Sequence, residues 1–98
     1  MIKRNTEKNE KVKLTFVLPY DEGQPSVAVV GDFNDWNPTS TKLVKRSNGT
    51  CSGSVVVDAG RRYQFRYYSE DGRWFDDVEA DAFETGAFGH ENGVIVVA

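Results

Sequence analysis

From Lys11 onward the chain alternates. Val12, Leu14, Phe16 and Leu18 fall on one side, and Lys11, Lys13, Thr15 and Val17 on the other. A period of two with one apolar side predicts a half-buried strand. The pattern returns between Arg61 and Tyr68, where Tyr63, Phe65 and Tyr67 point one way and Arg62, Gln64, Arg66 and Tyr68 the other. Shorter β-rich runs lie at Ser26–Val30, Lys42–Lys45, Thr50–Val57, Arg73–Phe75 and Gly93–Val97. Turn residues separate them: Asp21, Gly23 and Pro25, then Ser47-Asn48-Gly49, Asp58-Ala59-Gly60 and Asp71-Gly72. No stretch of useful length shows a helical period. About seven short strands with turns roughly every ten residues predict an all-β fold, a two-sheet antiparallel sandwich. Residues 76–92 are polar and acidic and are expected to form a long loop. Residues 1–10 are charged and unpatterned and are expected to be a disordered tail, which leaves 11–98 as the folded domain.

A chain of 98 residues fits one domain with one compact core. The formal net charge of −3, without a basic patch, argues against a nucleic-acid partner, since that affinity comes mainly from phosphate neutralisation. It leaves neutral ligands such as sugars open. No apolar run approaches the roughly 20 residues that span a bilayer. Residues 1–13 lack the apolar stretch of a secretory signal. No membrane partner is expected. Cys51 is the only cysteine, so no intrachain disulfide can form. These features point to a reducing cytoplasm. Asn48-Gly49-Thr50 matches a glycosylation sequon but reads as a turn in that setting. A start at Met1 and an end directly after the last strand are expected of a complete small protein, and an excised domain would look similar.

The carboxylates Asp76, Asp77, Glu79, Asp81 and Glu84 invite a catalytic or calcium reading. Glycoside hydrolysis needs two carboxylates about 5–10 Å apart across a bond held in a cleft. A polar loop on so small a sandwich offers no deep cleft, so a solvated acidic loop is expected and no catalytic residue is assigned. Calcium would need six or more oxygens, and EF-hand spacing is absent. His90 has no nucleophile motif nearby. Cys51 lacks the companions of a zinc site. No phosphate-cradling glycine loop is present. Neither a metal nor a cofactor is expected.

One stretch is more specific. Val29-Val30-Gly31-Asp32-Phe33-Asn34-Asp35-Trp36 resembles the G-x-F-N-x-W signature of the early-set domains of isoamylases and glycogen branching enzymes. The same family includes the glycogen-binding domain of the AMP-activated protein kinase beta subunit. Tyr63 to Tyr68, followed by Asp71-Gly72-Arg73-Trp74, resembles a second family segment, and Asn92 to Val97 its closing strand. The resemblance covers about residues 26–98. It implies an immunoglobulin-like (early-set) sandwich that binds α-1,4-linked glucan in a shallow groove. By position it implies that Trp36 and Trp74 stack on glucose rings and that Arg66 and Asn92 bond sugar hydroxyls. It puts Phe88 where an aliphatic side chain projects into the glucan curve, and His90 at a hydroxyl-bearing position. Arg66 departs from the family's usual lysine, Phe88 from a leucine-like residue, and one extra residue precedes Asp71-Gly72.

The residue types suit a neutral sugar. An indole covers the C–H-rich face of a ring, at about 0.5–1.5 kcal/mol per contact by analogy with aromatic pairs. Each rim hydrogen bond adds about 0.5–1.5 kcal/mol. Association entropy consumes several kcal/mol, so affinity on the order of micromolar to millimolar is expected. Plainer roles stand beside these. Trp36 can serve core or surface, and its neighbours Asp35 and Asn37 favour the surface. Trp74 and Phe75 must face opposite ways, and Trp74 is expected outside. Arg66 opposes the apolar row and is expected to be exposed. Asn92 can bind sugar or shape the turn before the last strand. Phe33 is expected to anchor its loop. The alternatives to a glucan-binding module are a protein-interaction module using sheet edges or groove, and an accessory domain of a glucan-active enzyme.

Overall fold

The computed structural model describes residues 1–21, 23–86, 89 and 91–97. It is an antiparallel sandwich of two sheets. The first has the order β1 (Ile2–Glu7), β2 (Lys11–Pro19), β5 (Thr50–Asp58) and β4 (Val44–Lys45). The second has the order β3 (Val27–Gly31), β6 (Arg61–Ser69), β9 (Glu91–Val97) and β8 (Ala82–Thr85). The two-residue strand β7 (Trp74–Phe75) pairs with the end of β6, opposite Tyr68 and Tyr67.

The alternation seen in the sequence places the core. Val12, Leu14 and Phe16 of β2 face Val29, Phe65, Tyr67 and Ile95 of the second sheet, all buried. Phe16 lies at the centre, with ring centroids 5.4 Å from Phe65 and 6.3 Å from Tyr67. The chain passes between sheets through Thr41–Leu43. This segment runs along the free edge of β3, with Val29 N–H donating to Thr41 and Leu43 N–H to Val27. Buried Leu43 then delivers it to β4.

Two expectations need correction. The supposed tail contains a strand: Ile2–Glu7 pairs residue by residue with Lys11–Phe16. Its pattern carries a single apolar residue, Ile2, so backbone pairing to β2 and the Arg4–Asp81 ion pair hold it in place of side-chain burial. The long polar loop also contains a strand, Ala82–Thr85, paired with β9. Edge strands need only one hydrogen-bonded neighbour and a weak pattern, which is why both escape a search for alternation.

Candidate functional site

The site grows from β6. Strand alternation puts Gln64, Arg66 and Tyr68 on the outer face of the second sheet. Opposite residues in an antiparallel pair share a face, so Trp74 joins Tyr68 outside while Phe75 joins Tyr67 inside. The split follows: Trp74 is 43% exposed, whereas the Phe75 ring packs 5.3 Å from that of Tyr67. Trp74 lies against Tyr68 at 4.8 Å between centroids, with the Arg66 guanidinium carbon 5.9 Å from the indole centre. Trp74 is thus fixed on two sides and open elsewhere.

Arg66 differs from its expectation. It is on the outer face, but its side chain is only 19% exposed. Its Nε donates to Asp76 at 2.8 Å. That leaves the four terminal N–H donors of the fork for another partner. Asp76 is held in turn by its neighbour. The Tyr67 hydroxyl donates at 2.6 Å to Asp77, which is 5% exposed and also accepts the Glu79 N–H. Burial, followed by the bond to the Asp77 carboxylate, pushes the Tyr67 phenol far above its ordinary pKa. The acidic segment is therefore not simply a solvated loop. Asp77 is a buried anchor, and Asp76, Asp81 and Glu84 pair with Arg66, Arg4 and Arg62.

The G-x-F-N-x-W stretch has a physical reason at each position. A Cβ on Gly31 would lie 2.5 Å from the Gln64 carbonyl oxygen and 2.9 Å from the Phe65 Cβ, so only glycine lets β3 close on β6 here. Phe33 is half-buried against Phe16 at 5.7 Å and Tyr63 at 6.3 Å. Its expected anchoring role is what the packing gives it. The Asn34 carbonyl oxygen accepts the Gly31 N–H, and its amide donates to the Val29 carbonyl and the Thr41 hydroxyl. Asn34 thereby clamps the loop to the β3 edge.

Beyond the clamp, Asp35 and Trp36 take φ of 55° and 56°, the left-handed region that bulky side chains avoid. Such strain persists only where the surroundings fix it. Trp36 N–H donates to the Gly31 carbonyl at 3.0 Å, and the indole Nε1 donates to Asp32 Oδ1 at 3.0 Å. The second oxygen of Asp32 accepts the Gln64 N–H at 2.8 Å. The Gln64 side chain accepts from the Asn92 amide at 2.9 Å. Trp36 is half-buried, neither core nor fully open. Asn92 lies within β9 with its side chain on this face, so it does not act as a turn former.

Contacts join four of the six predicted residues in two pairs, Trp36 with Asn92 and Arg66 with Trp74. Trp36 connects through Asp32 and Gln64 to Asn92, and Gln64 is two residues from Arg66, which lies over Trp74. The remaining two, Phe88 and His90, fall outside the described residues. Sequence reasoning misses three participants: Asp32, Gln64 and Tyr68. Gln64 and Tyr68 share the Arg66 side of the strand, and that alternation is the signal that could find both. Among the described residues, no group of three or more His, Cys, Asp or Glu side chains is arranged to hold a metal ion.

A two-sheet sandwich with an aromatic and hydrogen-bonding patch on one outer face is built as a binding module. Residues 5–83 match the family model of carbohydrate-binding module 48, the isoamylase N-terminal domain. The chain belongs to that family, whose members are carbohydrate-binding modules generally related to glucans. The match begins within β1 and so extends further toward the N-terminus than the three motifs. No curated protein matches the chain at a significant level.

Proposed function

We propose that this chain binds α-1,4-linked glucan on the outer face of its second sheet and does not itself catalyse a reaction. The observation that supports this most is the exposed Trp74 ring, held by Tyr68 and Arg66 on the face that also carries the Gln64 and Asn92 side chains. A sugar ring laid on Trp74 would meet the free guanidinium donors of Arg66 at its rim. Trp36 offers a second apolar surface, and the Asn92 amide supplies both a donor and an acceptor. Aromatic surface below and hydrogen-bonding groups beside it match a neutral hydroxylated ring better than a charged ligand. The reading includes a cytoplasmic location, which rests on the sequence alone: a single cysteine, Cys51, allows no intrachain disulfide.

Titration with maltoheptaose or β-cyclodextrin, followed by tryptophan fluorescence, tests the proposal. A saturable change is expected, on the order of micromolar to millimolar. Trp74→Ala should lose it while keeping the wild-type unfolding midpoint. A flat response up to millimolar sugar would overturn the glucan reading and favour a protein partner for this face.

A further inference from the structure

The outer face holds a second feature near Trp74. A cavity of about 190 Å³ opens between the loop that follows Trp36 and the end of β6. Ala28, Pro38, Thr39 and Tyr68 are among the residues that line it. Lys42 and Glu70 face each other at its rim, with Nζ and Oε1 3.7 Å apart.

We infer that this cavity is an additional subsite for one further glucosyl unit of a chain already bound at Trp74. The inference rests on the glucan reading above. Three observations support it. The volume lies below the roughly 300–1,000 Å³ of pockets for drug-sized ligands, which suits a single ring. The lining is amphipathic as a sugar is: an aromatic ring and Ala28 inside, with a hydroxyl, an ammonium and a carboxylate around the edge. Lys42 supplies donors only, Glu70 acceptors only, and Thr39 still offers acceptor lone pairs after donating to Asn37. Finally, the cavity adjoins the first site: Tyr68 lines it on the β3 side and packs on Trp74 on the β7 side. A glucan that leaves Trp74 and crosses the Tyr68 ring toward β3 reaches it. The Lys42–Glu70 pair is exposed on both sides, so it contributes little to stability and can exchange its partners for sugar hydroxyls.

Chain-length dependence separates the subsite from the main site. Calorimetric titration of the whole chain with maltotriose and maltoheptaose gives a ratio of affinities. In the wild type the heptasaccharide should bind several-fold more tightly. In the double variant Lys42→Ala/Glu70→Ala, maltotriose affinity should hold while the heptasaccharide loses about two- to tenfold, the value of one or two rim hydrogen bonds. The amide signals of Ala28, Tyr68 and Glu70 should move with maltoheptaose in the wild type. If the ratio is the same in wild type and variant, or those signals stay still, the subsite is overturned while the Trp74 site stands. If the wild type binds neither sugar, both readings fall.

Discussion

The Trp36 indole N–H donates to Asp32 at 3.0 Å, and the other oxygen of the same carboxylate accepts the backbone N–H of Gln64 at 2.8 Å. One side chain thus ties a strained loop tryptophan to the strand that carries Arg66. Its two hydrogen bonds fix where the Trp36 ring sits.

Asp32→Asn should therefore weaken sugar binding without unfolding the domain. The amide keeps one acceptor but turns an N–H₂ group toward a donor, so one of the two bonds is lost. The lost bond is exposed to water and is worth about 0.5–1.5 kcal/mol. Part of that should appear as a several-fold loss of affinity and part as a shifted tryptophan emission in the free protein. Unchanged emission together with unchanged affinity would show that the carboxylate does not position the ring.

Tyr67 and Asp77 make a buried pair beneath the Arg66–Asp76 contact, and its loss should be felt in stability. Tyr67→Phe leaves a buried carboxylate oxygen short of its donor, at a cost of about 1–3 kcal/mol. The urea midpoint should fall with little change in slope.

The same pair sets an alkaline limit. The folded chain holds the Tyr67 proton to higher pH than an unfolded tyrosine, which releases it near pH 10. A pKa raised in the folded state gives stability that is complete below about pH 10 and declines above it. Above that pH the unfolded chain gains by losing the proton and the folded chain does not. Wild type should lose stability more steeply than Tyr67→Phe between about pH 10 and pH 12, measured as unfolding midpoints across that range. Parallel curves would show that Tyr67 does not differ between the two states.

Gly31→Ala tests the close approach of β3 to β6. The new methyl would meet backbone oxygen at 2.5 Å, a contact that no side-chain rotation relieves. Overpacking of this kind costs about 1–3 kcal/mol. Asn34 and Trp36 both hydrogen-bond to Gly31, so the loop should shift with it. Loss of sugar affinity should accompany loss of stability, and a fully stable variant would contradict the packing described.

Much of the sandwich is legible in the amino-acid pattern. Residues 11–18 and 61–68 alternate strongly, because one side of each strand must enter the core and the other must meet water. That same rule separates Trp74 from Phe75. Ile2–Glu7 and Ala82–Thr85 are not legible, because an edge strand draws on its neighbour's backbone hydrogen bonds, which leave no mark on side-chain pattern. The depth of Trp36, the covering of Arg66 and the burial of Asp77 are equally hidden. Each depends on a residue distant in sequence: Gln64 for the Asp32 clamp, Asp76 for Arg66, Tyr67 for Asp77.

Periodicity and short motifs are local, so the order of residues alone dictates which faces are apolar, where the turns fall and which family the chain resembles. Which polar groups meet across strands is a matter for the folded chain. Hydrogen bonds such as Asp32 to Gln64 and Tyr67 to Asp77 join residues 32 and 10 positions apart. Only the sheet register and the packing of loops upon it bring those groups within reach, and from them come the fixed orientation of Trp36 and the support behind Arg66.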